Sequence, residues 1–290
     1  MHADPLFSRI HKLRDQRLCI GEHVGHWLFA SLRLVVMIAL LLLAFLGLSL
    51  DDHTFASEGR FGIPLGWSDD NGRYRVTAHT EIATADGWKS IRGALESAAT
   101  WCRVSLLVPD VRGCQVNEGE QTVITLSLRS GGTEAVREIE HVLRVDNMDP
   151  QLIHVVFRAD RAAMGVREAG LSVVARQGTT GVELELEYGL RPSIRSRLAT
   201  SAYLAGKADN RPGISYSTSS DGTREYVTGL RALIERNAMR YFLALLATLE
   251  TNNLASTIDA WYDMASRYKA DLPEQNKEEY TESRHRLFTR

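Results

Sequence analysis

The sequence predicts an α+β chain. One membrane-spanning segment comes first, followed by a curved antiparallel sheet crossed by one long helix, with two further helices at the end. Three observations predict this. Leu34 to Leu50 reads LVVMIALLLLAFLGLSL, with no charge and no proline. About six short segments between residues 73 and 188 show strand patterning, with turn residues between them. A long segment after the last of them carries one unbroken apolar stripe at helical spacing.

The apolar run comes first in the chain. At roughly 1.5 Å per helical residue, its length approaches the roughly 30 Å thickness of a bilayer core. Trp27 to Leu32 extends it, and Arg33 can extend its stem toward the headgroups. Arg9, Lys12, Arg14, Arg17 and Arg33 precede it, while Asp51 and Asp52 follow. This asymmetry predicts a cytoplasmic N-terminus, with the rest of the chain on the far side of the membrane. The expected organisation is a leader at 1–33, an anchor at 34–50, a linker at 51–72, the main domain at 73–250 and a helical extension at 251–290. A cleaved signal peptide is the alternative. Its leader of 33 residues would be long, and the small-residue site Thr54-Phe55-Ala56 lies well beyond the run.

Hydrophobic content of 44% and charged content of 24% describe a globular chain. Beyond residue 33 there are 29 basic and 33 acidic residues, which gives no electrostatic case for nucleic-acid binding. Cys19 lies on the cytoplasmic side of the run. Cys102 and Cys114 lie in the exported part, where a disulfide can persist; two unrelated buried thiols are the alternative. No Cys/His cluster suggests zinc, and no cofactor motif is present.

Taken in order, residues 1–26 scatter basic residues among Leu6, Phe7, Ile10, Leu13 and Leu18, a spacing that suits a short amphipathic helix. Glycines punctuate the linker. Tyr74, Val76, Ala78 and Thr80 alternate with polar residues as in a half-buried strand. Asp86 caps a helix with Trp88, Ile91, Leu95, Ala98 and Cys102 on its apolar side. Val104–Val108 reads as a short strand. Further strands are expected at 122–128, 139–146, 152–159 and 171–176. Then Val182, Leu184, Leu186 and Tyr188 alternate with Glu183, Glu185 and Glu187, giving one core face and one solvated face. A helical segment is expected at 193–204. The long helix, about 224–249, steps through Val227, Leu230, Ile234, Ala238, Tyr241, Leu245 and Leu249. Helices near 254–269 and 274–288 follow, the last so charged that it reads as a solvated outer layer.

A curved antiparallel sheet buries its apolar face by closing, stacking or accepting a helix, and the long helix after the last strand suits the third solution. Specific residues add to this. Ala99-Thr100-Trp101-Cys102, then Cys114, then Glu235-Arg236-Asn237-Ala238-Met239-Arg240-Tyr241-Phe242-Leu243-Ala244, Trp261-Tyr262 and Glu278-Glu279-Tyr280 resemble an uncharacterised bacterial family. That family is similar to the START/polyketide-cyclase-like, helix-grip superfamily. The resemblance spans roughly residues 73–290. It implies a sheet and helix that enclose a cavity, not a reaction.

No nucleophile elbow, zinc-binding helix or phosphate-binding loop is present. His79, His141 and His154 lie on different strands with parities that argue against a shared metal. Arg236 and Arg240, at i and i+4, make a basic strip beside Asn237 that suits an anionic head group. The alternative is an ion-pair network tying this helix to the sheet's glutamates. The residues expected to contact a ligand are Arg236, Asn237, Arg240, Tyr241, Tyr188 and Trp101. The leading expectation is a non-catalytic, membrane-tethered carrier for a lipid or other hydrophobic molecule. An assembly partner of an inner-membrane protein complex comes second, and a cyclase/aromatase-type enzyme third.

Overall fold

The computed structural model describes residues 56–57, 63, 65–83, 87–129, 136–162, 166–194, 197–198, 211–268 and 270–289. The expected leader, the run Leu34–Leu50, Cys19, the Asp86 cap and most of the helix expected at 193–204 lie outside them. Among the described residues no helix is long and apolar enough to cross a membrane.

Eight antiparallel strands form the main sheet: β2 (Leu65–Asp70), β3 (Arg73–Ile82), β4 (Val111–Glu118), β5 (Thr122–Arg129), β6 (Val136–Asp149), β7 (Leu152–Arg161), β8 (Val166–Gln177) and β9 (Val182–Pro192). Their order is β2-β3-β9-β8-β7-β6-β5-β4. Successive hairpins therefore run from β4 to β9, and the earlier hairpin β2–β3 adds to the open edge of β9. A small second sheet joins β1 (Ala56–Ser57), β10 (Ser215–Thr218) and β11 (Arg224–Tyr226).

Period-2 patterning sets the register, because a slip of one residue would turn every apolar side chain outward. Val76 pairs with Tyr188, and Ala78 with Leu186. Leu186 pairs in turn with Val173, and Phe157 pairs with Leu171 and Leu143. On this face lie α1 (Gly87–Glu96), α2 (Ala98–Leu107) and α3 (Gly229–Glu250). Val76, Leu184, Leu186, Trp101, Ala238, Met239 and Phe242 have no solvent exposure, so side chains from both sides occupy the helix–sheet interface. Two short helices, α4 (Leu254–Ala265) and α5 (Lys277–Phe288), complete the domain, capped by Asn253 and Asn276.

Three expectations are corrected. Val104–Val108 is not a strand; its first four residues finish α2, buried all round, and a short apolar run carries no period to tell the two apart. The strand comes next, as β4, whose exposed residues at a sheet edge give it no apolar alternation. Residues 65–70, expected within the linker, form β2, and Asn71-Gly72, both at positive φ, makes the tight turn into β3. The final helix is not a solvated layer. Tyr280 and Arg284 are fully buried, and Arg284 Nη1 donates to Leu106 O (2.7 Å), Val108 O (3.1 Å) and Val111 O (3.1 Å). Its Nη2 donates to Pro109 O (3.2 Å), so this guanidinium caps the C-terminal end of α2.

Cys102 of α2 and Cys114 of β4 form a disulfide, with their Cα atoms 5.6 Å apart. The bond fixes the helix pair to the last strand of the sheet.

Candidate functional site

The arginines of the long helix serve the backbone. Glu235 is fully buried; it accepts from Ile214 N (3.0 Å) and Ser215 N (2.9 Å) and pairs with Arg231 (2.9 Å). Arg236 donates to Arg211 O (2.7 Å) and Pro212 O (3.2 Å). Arg240 donates to Leu272 O (2.9 Å) and Asn237 Oδ1 (3.3 Å), and meets Glu274, which also receives Arg211. The Glu-Arg-Asn-Ala-Met-Arg run thus clamps the segments around 211–215 and 272–274, rather than the glutamates of β9.

The aromatic residues occupy the core. Trp101 donates to Leu95 O (2.8 Å) and stacks on Phe157 at 5.5 Å. Tyr188 and Tyr241 are brought together, ring centroids 6.1 Å apart; burial pushes the Tyr188 hydroxyl up to about 12 and raises Tyr241 as well. The three histidines stay apart. His141 stacks on Phe157 at 4.6 Å on the helix-covered face, and burial lowers its pKa to about 4. His154 meets Ser172 Oγ (2.9 Å) on the opposite face, and His79 is exposed.

Open space lies elsewhere. A cleft of about 850 Å³ sits where the β2–β3 turn, the end of β7, the start of β8 and the end of β9 meet. Asn71, Asp160, Arg161, Ala162, Arg167, Arg191, Pro192, Ser193, Ile194 and Arg197 line it. None of the six residues expected to contact a ligand is among them. Four guanidinium groups therefore share one cleft.

The strand register explains their grouping. Arg161 of β7 is the cross-strand partner of Arg167 of β8, and Arg167 is the partner of Arg191 of β9. Arg191 has the parity of Glu187 on β9, while Arg161 has the parity of Phe157 and Ala159 on β7. A bulge between Arg167 and Gly170 shifts the β8–β9 register by one residue, which exchanges faces and brings the two parities side by side. Glu168 sits in that bulge at φ 55°, a conformation costing roughly 1 kcal/mol or more for a residue with a side chain. Gly170 allows the close approach: a Cβ there would lie 2.3 Å from Phe157 O.

Like charges directly opposite one another destabilise a sheet. The carboxylates nearby relieve only part of this row. Glu168 meets Arg73 (3.3 Å) and Arg191 (3.8 Å), and Asp160 meets Arg158 (3.2 Å). Among the described residues no carboxylate pairs with Arg161, Arg167 or Arg197. Arg197 packs over Gly72 and faces the Tyr74 ring at 6.0 Å. Guanidinium forks at this density match a carboxylate or phosphate, which would offset the repulsion between them. Sequence reading missed this cleft, because its arginines are spread over 37 positions and three of the four meet only through the register.

No protein-family model matches the chain, and no curated protein matches it. Solved structures do. The STAR-related lipid transfer protein from Xanthomonas axonopodis is 15% identical with a TM-score of 0.40, over 53% of this chain and 90% of that one. Human StAR-related lipid transfer protein 5 is 10% identical with a TM-score of 0.41, over 75% and 95%. The Zhui aromatase/cyclase from Streptomyces sp. R1128 is 12% identical with a TM-score of 0.36, over 61% and 91%. The solved structures similar to this chain include STAR-related lipid transfer proteins and an aromatase/cyclase.

Proposed function

We propose that the domain is a non-catalytic binding protein for an anionic amphiphile, a molecule with a carboxylate or phosphate head and an apolar part. The observation that carries this reading is the cleft of about 850 Å³ in which Arg161, Arg167, Arg191 and Arg197 stand beside Ala162, Pro192 and Ile194. The guanidinium groups would hold the head, and the aliphatic groups would cover the first carbons of the apolar part. The likeness to helix-grip proteins concerns fold; the ligand class rests on the chemistry of the cleft.

In this reading the run Leu34–Leu50 anchors the chain in a bacterial inner membrane with the domain in the periplasm. The Cys102–Cys114 disulfide supports export, since such bonds persist in oxidising compartments. A periplasm-dependent reporter fused at Arg290 should be active, and activity of a cytoplasm-dependent one would refute the topology.

The binding reading is tested on purified full-length protein by extraction and mass spectrometry, then by titration with a long-chain fatty acid and a lysophosphatidic acid. An anionic amphiphile should copurify or bind, and Arg161→Gln with Arg167→Gln should weaken it at least tenfold. Equal affinity for an uncharged monoacylglycerol, or no change in the double variant, would refute it.

A further inference from the structure

The two most exposed large aliphatic residues among those described are Ile194, at 76%, and Leu198, at 68%. They stand four residues apart, and Arg197 N–H donates to Ser193 O (2.9 Å), the bond of a helical turn, so the two share one side. Ile194 also lines the arginine cleft. Two bare aliphatic side chains and a set of guanidinium groups with too few carboxylates to meet them therefore occupy one patch of the surface. Isolated exposed aliphatics need no explanation; a pair at helical spacing beside a basic cleft does.

We propose that this patch docks on a bilayer surface rich in anionic lipid. Arg161, Arg167 and Arg197 meet headgroup phosphates, and Ile194 and Leu198 enter the boundary between headgroups and acyl chains. Charge complementarity selects this occupant. A purely zwitterionic surface offers the arginines no net attraction, whereas each basic residue near an anionic surface gains roughly fivefold in affinity. The chemistry matches that of interfacial segments, in which apolar side chains and basic neighbours act together. The inference rests on the cleft's affinity for anions, and adds that the cleft opens toward the membrane where amphiphiles reside.

The test uses the full chain carrying Cys19→Ser and Ile194→Cys, labelled with an environment-sensitive nitrobenzoxadiazole probe. It is placed in nanodiscs of phosphatidylcholine alone or with one-third phosphatidylglycerol. A tether, where present, acts equally in both, so lipid charge is the only variable. The probe should shift to the blue and brighten only with phosphatidylglycerol, and 1 M salt should reverse the change by screening. Arg161→Gln with Arg167→Gln should lower the docked-to-undocked ratio about thirtyfold. Leu198→Ser should lower it severalfold. A probe at Val136→Cys, which is 53% exposed on β6, should not respond.

Identical emission in both nanodiscs, an equal response at Val136, or indifference to the arginine substitutions would overturn the proposal. Titration with glycerol phosphate separates the two levels. Saturable binding that depends on Arg167, with a silent probe, would leave the cleft reading intact and remove the docking. No binding and a silent probe would remove both.

Discussion

Two groups of arginines occupy this domain, and they do opposite things. Arg236, Arg240 and Arg284 are buried, and each donates to main-chain carbonyl oxygens of a distant segment. Arg161, Arg167 and Arg191 are exposed, stand side by side across three strands, and have more positive charge than carboxylates to meet it. A buried guanidinium is tolerable only when its donors are satisfied, so the first group is fixed in geometry and unavailable to a ligand. The second group stores repulsion that an incoming anion can relieve. Residue type is thus a poor guide to role; the supply of acceptors decides it.

Substitution tests that contrast most sharply at Arg284. Arg284→Met removes the donor to four carbonyl oxygens at and just after the end of α2 and should cost about 4 kcal/mol, read as a large fall in Tm. A loss under about 1 kcal/mol would show that water can replace this cap. Next comes pH. Burial holds the His141 pKa near 4 against 6.5 unfolded, so between these values the unfolded chain binds the extra proton. Stability from this group is complete above pH 6.5 and should decline by about 3 kcal/mol as pH falls to 4. His141→Phe should flatten that part of the profile in denaturant titrations. Glu274 adds to the slope in more acidic solution: burial opposes its ionisation, but Arg240 and Arg211 outweigh this and lower its pKa. Its contribution is present above the unfolded pKa and is lost as pH falls through the depressed one.

Reduction of Cys102–Cys114, or the double change to Ala, should cost about 3 kcal/mol for a loop of this length. Glu235→Ala strips two buried N–H groups of their acceptor and should cost about 2 kcal/mol, with Glu235→Gln less damaging. The smallest stability effect belongs to the cleft. Arg167→Gln should change folding free energy by less than about 0.5 kcal/mol, in either direction, while weakening anion binding severalfold. A large loss of stability there would place Arg167 with the buried group and dissolve the contrast.

Much of the fold was legible in the sequence for a clear physical reason. The strands from Thr122 to Tyr188 alternate because one face is covered, and the stripe through Ile234, Ala238 and Leu245 marks the face that α3 buries. The misses have equally definite causes. β4 is an exposed edge and lacks alternation. The turn Asn71-Gly72 was a hairpin signal standing next to Trp67 and Tyr74, whose rings stack at 5.5 Å, but the short β2 before it had no period of its own. At the site, the Glu235–Arg240 run drew attention because its charges sit together on one helix. The cleft arginines share no local pattern; a register shifted by a bulge unites Arg161, Arg167 and Arg191. Counting back from the β7–β8 hairpin would have paired Arg161 with Arg167, and that was the signal available.

The position of Arg284 has a consequence for how the chain matures. Its acceptors lie as far as 178 residues earlier, at the end of a helix formed near the start of the domain. A nascent polypeptide that has not yet released Arg284 from the ribosome holds that helix with its terminal carbonyls open. Completion waits for the segment after Lys277 to arrive, and truncation ahead of Lys277 leaves α2 without an end-stop.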